Sequence, residues 1–145
     1  MNRELHPKFW IVVVSKDHLE IGKRLNIVQA NHGKAAPMKR MMPGDLILFY
    51  SPKLHFEGND PLKKFTAIAR VKDGEVYSGD MGGGFIAYRR NVDYLPCREV
   101  DIVPLIPKMT FIRNKKSWGF VFKFGFFEIP KEDFETIAKE MELND

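Results

Sequence analysis

Residues 46–50, Leu-Ile-Leu-Phe-Tyr, are apolar without any polar alternation. A strand of this kind is buried on both faces, so it belongs at the centre of a sheet. Gly44-Asp45 supplies the turn into it, and Pro52 ends it. Residues 9–14 form a second near-continuous apolar run and predict another interior strand. Ahead of residues 46–50 lies a loop dense in side-chain donors and acceptors, with Gln29, Asn31, His32 and Lys34, followed by a short basic helix. The predicted recognition site is where this loop, the end of the 46–50 strand and the 10–15 strand converge.

Ser15 closes the first apolar run, and Asp17 with Glu20 has the spacing of a capping box, predicting a helix of about two turns that fades over residues 22–26. Ser15 and Lys16 therefore stand at a strand-to-helix junction, where capping and ligand contact are both open to the serine. Residues 34–42 predict a second helix. Ala35, Met38, Met41 and Met42 form its apolar side, Lys34, Lys39 and Arg40 point elsewhere, and Pro37 sits in its first turn. The loop at 52–64 is long enough to be functional, with His55 and Phe56 as its distinctive residues. Residues 65–71 alternate, with Phe65, Ala67, Ala69 and Val71 on one side, and Asp73-Gly74 predicts a hairpin turn after them. Residues 98–105 predict a further strand. A C-terminal helix is marked by Phe134, Ile137, Ala138 and Met141, with Glu132 and Asp133 in its first turn.

The chain's 145 residues suit one domain over 1–145, and 44% hydrophobic with 29% charged residues is a globular composition. No apolar run reaches the length of a membrane span, and the N-terminus has no signal-peptide core, so the expected address is cytoplasmic. The net charge of +4 permits an anionic partner without requiring one. Its basic residues cluster at Lys34, Lys39 and Arg40, at Arg89 and Arg90, and at Arg113, Lys115 and Lys116; such clusters either solvate a face or position phosphates.

Catalytic patterns are missing. The four histidines and the single Cys97 fall in no metal-ligand spacing, GxSxG is absent, and the paired carboxylates lie at helix starts. The glycines of SGDMGGG (78–84) lack the lysine and the strand–loop–helix setting of a phosphate loop. Residues 117–127 hold Trp118, Phe120, Phe122, Phe124, Phe126 and Phe127 at period two, a pattern of core packing more than of a stacking platform; Trp118, beside the basic run, is placed at a pocket mouth.

The order and spacing of Trp10-Ile-Val-Val-Val-Ser15, Gln29…Gly33-Lys34, Arg40-Met41…Pro43-Gly44-Asp45, Phe49-Tyr50-Ser51-Pro52 and Ile129-Pro130…Asp133-Phe134…Ile137 resemble the EVE domain. That family has a PUA-like fold related to the YTH domain, a reader of methylated adenine in RNA. The resemblance implies an α+β fold: a mixed or antiparallel sheet forming a partly closed barrel, with short flanking helices and a C-terminal helix. It also implies a non-enzymatic module, without cofactor, that holds a modified base of DNA or RNA. A nucleic-acid-processing or RNA-modifying enzyme and a metabolite- or protein-binding module are the alternatives.

For such a reader, aromatic walls, polar edge contacts and phosphate-holding cations are needed. Trp10, Tyr50 and Trp118 are the candidate walls, although Trp10 starts a buried strand and suits the core better than a cage. Ser15, Gln29, Asn31, His32 and Ser51 are the candidate edge contacts. Lys16 and Lys34 complete the expected base site, with Lys39, Arg40, Arg89 and Arg90 as phosphate contacts.

Overall fold

The computed structural model describes residues 5–29, 35–80 and 86–144. Its elements are β1 (Phe9–Val13), α1 (Lys16–Leu25), β2 (Ile27–Val28), α2 (Ala35–Arg40), β3 (Leu46–Lys53), β4 (Pro61–Asp80), β5 (Ile86–Leu95), β6 (Val100–Asp101), β7 (Phe126–Ile129) and α3 (Lys131–Glu140), with 3₁₀ helices at Val103–Lys108 and Trp118–Phe124. This is the α+β class expected.

The sheet runs β2-β5-β4-β3-β1-β7, and β6 pairs with β4. β1 lies parallel to β3, from Phe9↔Leu46 to Val13↔Tyr50, and antiparallel to β7. Both apolar runs are thus interior strands, and their continuity has a direct cause. One face of the sheet carries Ile11, Leu48, Tyr50, Phe65 and Ile68, packed with Phe122 and with Phe134 and Ile137 of α3. The opposite face carries Trp10, Val12, Ile47, Phe49, Ala67 and Ala69, packed with Leu19 of α1 and Met38 of α2. Side chains that must pack in both directions leave no position for a polar residue.

Four expectations change. The alternation over 65–71 breaks at Thr66. Phe49 pairs with Ala67 but Tyr50 with Phe65, so a bulge puts Phe65 and Ile68 on one face and Ala67, Ala69 and Val71 on the other. Asp73-Gly74 makes no hairpin: β5 pairs with β4 on both sides of it, at Val71↔Val92 and Val76↔Arg90, so residues 72–75 bulge out of one continuous strand. Residues 98–105 give only the short β6 before Pro104 and Pro107 turn the chain into a 3₁₀ helix. Over 118–124 the aromatics ride a 3₁₀ helix, so Phe122 is buried while Phe120 and Phe124 face solvent.

Buried carboxylates tie the layers together. Asp133, at the start of α3, accepts hydrogen bonds from the Thr110 amide (3.1 Å), the Thr110 hydroxyl (2.9 Å) and the Phe111 amide (2.9 Å). Asp45 does the same at the start of β3, accepting from the Lys8 amide (3.0 Å), the Trp10 indole (2.9 Å) and the Met42 amide (3.0 Å). Gly44 before it has φ 93°, a backbone geometry that suits glycine, and its amide donates to Val71.

Candidate functional site

β1 ends beside Tyr50 of the parallel strand β3, and α1 starts just beyond it. Ser15 is the N-cap of α1 and is nearly buried. Its hydroxyl donates to Asp17 at 2.6 Å, and the Asp17 carboxylate also accepts the amides of His18 (2.8 Å) and Phe56 (3.2 Å). The Asp17 amide donates to Leu54 at 3.0 Å. The 52–60 loop is therefore fastened to the start of α1, and the Phe56 ring stacks on His18 at 4.7 Å with 17° between planes. Lys53 donates to the Phe56 carbonyl at 2.6 Å and lies 5.5 Å from its ring. The capping box does not form as read: Ser15 takes the N-cap position without a side-chain capping hydrogen bond, and Glu20 pairs with Lys16 at 3.0 Å instead.

Burial raises the Asp17 pKa, but the Ser15 hydroxyl and the two amides outweigh it and hold the carboxyl below its ordinary value. The docking energy is then fully present above the unfolded pKa and lost as pH falls through the lowered folded one. Hydrogen exchange at the Phe56 amide should stay protected at neutral pH and lose protection only below the usual carboxylate range. Asp17→Ala should abolish that protection at every pH while leaving β1 and β3 amides unchanged.

Lys16 sits between Glu20 and Glu99, so a phosphate would compete there with two carboxylates. Burial lowers its pKa, but hydrogen bonds to Glu99 and Glu20 raise it further, and the side chain stays charged. Gln29 follows β2, and its side-chain oxygen accepts from Arg89 Nε at 3.4 Å. The Ile27↔Asn91 and Val28↔Arg90 register brings these residues together. Lys39 and Arg40 are exposed on α2. Asn31, His32 and Lys34 lie outside the described residues.

The structure divides the aromatic candidates between the two faces of the sheet. Trp10 is 1% exposed, stacked on Phe126 at 4.8 Å and 12°, with the Arg40 guanidinium 5.0 Å from its ring. It is core, as one of its two readings had it. Tyr50 lies on the opposite face, buried against Phe65, Phe122 and the edge of Trp118, and burial pushes its hydroxyl pKa up to about 12. Neither ring presents a face to solvent. Trp118 is partly exposed.

Two polar candidates are also internal. Ser51 is fully buried, with its hydroxyl 2.8 Å from that of Thr66. Arg90 is 1% exposed and donates to the carbonyls of Met38, Met41 and Asp73, so it clamps α2 to the β4 bulge and is not placed to meet a phosphate.

Side chains that sequence patterns did not mark include His18, against which Phe56 stacks, and Glu99. A cavity of about 240 Å³ also opens between α1, β4 and the end of β5, lined by Lys23, Thr66, Ala67, Tyr94, Leu95, Pro96 and Cys97. Burial raises the pKa of the Cys97 thiol, which makes it a poor nucleophile. Among the described residues no group of three His, Cys, Asp or Glu side chains is placed to hold a metal, and no helix is long and apolar enough to cross a membrane.

The EVE domain profile matches residues 8–140. A UPF0310 protein from the gntR 5′ region of Bacillus licheniformis is 46% identical over 127 residues, covering 88% of this chain and 86% of its own. A UPF0310 protein of Mycobacterium avium is 46% identical over 132 residues, covering 91% and 96%. Among solved structures, the YTH domain of the Zygosaccharomyces rouxii MRB1 protein, in complex with N6-methyladenosine RNA, superposes with TM-score 0.62 at 15% identity, over 94% of this chain and 87% of that one. With the profile matched over residues 8–140, this chain belongs to the EVE domain family.

Proposed function

We propose that this chain is a non-enzymatic nucleic-acid-binding module that reads one modified base, taken up between the start of α1 and the β2–β5 pairing that follows its end. The observation that carries the reading is the Gln29–Arg89 pair, an amide held next to a guanidinium on neighbouring strands. The amide offers a donor and an acceptor to a base edge, and the guanidinium offers charge to the adjoining phosphate. The exposed Lys39 and Arg40 extend that charge along α2. Phe56, stacked on His18 and partly exposed, supplies a planar surface at the start of α1. A similar fold in a YTH domain solved with N6-methyladenosine RNA supports the same class of ligand.

Binding of short single- and double-stranded DNA and RNA, plain or carrying methylated adenine, methylated or hydroxymethylated cytosine, or thiolated uridine, tests the proposal. One modification should bind better than its plain twin. Gln29→Ala should weaken that preferred complex about fivefold to tenfold, the scale of one lost hydrogen bond to a buried edge. Phe56→Ala should weaken it by a similar factor if the ring covers a base face. Tyr50 is unsuited to this test, because its truncation empties a core position. Equal affinity for every modification, with a steep salt slope, would reduce the reading to general phosphate binding.

A further inference from the structure

Residues 102–127 contain Lys108, Arg113, Lys115, Lys116 and Lys123 and no acidic residue. Within this segment the 3₁₀ helix Trp118–Phe124 leaves Phe120 and Phe124 each 63% exposed. Their rings meet edge to face at 6.2 Å, and the Lys123 ammonium lies 5.6 Å from the Phe120 ring. Lys115 is committed inward, donating to the carbonyls of Met109 and Ile112. Arg113, Lys116 and Lys123 are exposed.

The segment joins the sheet at the end where α1 starts. Gly125, directly after Phe124, accepts a hydrogen bond from the Val13 amide at 2.9 Å. Trp118 meets Tyr50 edge-on at 6.5 Å. Val13, the last residue of β1, is the register partner of Tyr50 in β3 and lies two residues before Ser15 at the start of α1. The two phenylalanines therefore stand at the same end of the sheet as the Ser15–Lys16 junction.

We propose that Phe120 and Phe124, with Arg113, Lys116 and Lys123, form a stacking platform for single-stranded nucleic acid that flanks the base held at the candidate site. The proposal rests on the nucleic-acid reading above. Every base offers a π face, so stacking on exposed rings tolerates any sequence, while neighbouring cations take the phosphates. Charge complementarity favours this occupant over a protein. The centre of a protein interface is depleted of charge, whereas here a lysine lies between the two rings in sequence and over one of them.

The test is fluorescence anisotropy with a trinucleotide carrying the preferred base, a single-stranded dodecamer containing it, and the matching duplex, each as RNA and as DNA. Phe120→Ala/Phe124→Ala should weaken the dodecamer about tenfold or more and leave the trinucleotide unchanged. The salt slope should not move, since no charge is removed, and Phe120→Tyr/Phe124→Tyr should restore affinity. Lys116→Gln/Lys123→Gln should instead flatten the slope. Both rings are exposed, so the alanine pair should unfold at the wild-type temperature. Wild-type affinity of the alanine pair for the dodecamer would overturn the platform, as would equal binding of duplex, or a self-association that the alanine pair abolishes without changing oligonucleotide binding. If the wild type binds the trinucleotide and only the platform effect is missing, the base-reading proposal stands alone. If it binds no oligonucleotide of any length, both fall.

Discussion

Asp45→Ala is expected to destabilise the fold by about 3–5 kcal/mol, a large share of the ~5–15 kcal/mol that holds a domain together. The carboxylate is fully buried and accepts three hydrogen bonds from three different parts of the chain: the approach to β1, the indole of Trp10 and the exit from α2. Alanine leaves three donors facing a space that nothing fills, and each unsatisfied buried donor costs about 1–3 kcal/mol before relaxation. Asp45→Asn separates charge from shape. One oxygen accepts from both Trp10 and Met42 and the other from Lys8. An asparagine that keeps its carbonyl toward Trp10 and Met42 turns its amide nitrogen on the Lys8 amide, so it loses one bond and should cost about half as much. Urea unfolding followed by tryptophan fluorescence checks both. Wild-type stability in Asp45→Ala would mean that the three donors find other partners, and the bracing role would be withdrawn.

That residue shows where sequence reading stops. Asp45 was legible only as half of a turn, because nothing local reveals donors supplied from 35 residues upstream. The apolar runs of β1 and β3 were legible because burial on two faces imposes a one-dimensional pattern, and α3 was legible because its helical period is long and unbroken. The bulge at Thr66 was not: one extra residue reverses every later side chain, and the alternating sequence reads equally well either way. For the same reason Trp10 and Tyr50 were both plausible walls of one pocket. Their separation follows from the register Trp10↔Ile47 and Val13↔Tyr50, which puts Trp10 on the face of Ile47 and Phe49 and turns Tyr50 to the other. At the candidate site, Gln29 and Arg89 were each visible, but their meeting depends on the pairing of β2 with β5. The His18–Phe56 stack had no local signal, since it is made by a loop closing on a helix.

The neighbouring arginines of β5 should part company on mutation, and the split discriminates bracing from recognition. Successive strand residues point to opposite sides. Arg90 points inward, where its guanidinium receives the carbonyls of Met38 and Met41 at the end of α2 and that of Asp73 in the β4 bulge. Burial lowers its pKa, and the charges of Asp73, Asp45 and Glu75 oppose that shift, so it remains a buried cation with polar company. Lysine cannot reproduce the planar fork. Arg90→Lys should lose at least one of the three contacts and cost about 2–4 kcal/mol; Arg90→Met, which strands all the carbonyls, should cost about 3–5 kcal/mol. Because Asp45 acts on Arg90, the Asp45→Ala/Arg90→Met double variant should lose less than the sum of the singles. Arg89→Gln should change stability by less than about 1 kcal/mol, yet weaken oligonucleotide binding and lower the salt slope by roughly one. Thermal unfolding and salt titration on the same variants measure both. If Arg90→Met unfolds at the wild-type temperature and flattens the salt slope, Arg90 reaches phosphate after all and its clamping role is withdrawn. If Arg89→Gln leaves the slope untouched, the guanidinium beside Gln29 serves only to hold the amide, and recognition must draw its charge from Lys39 and Arg40.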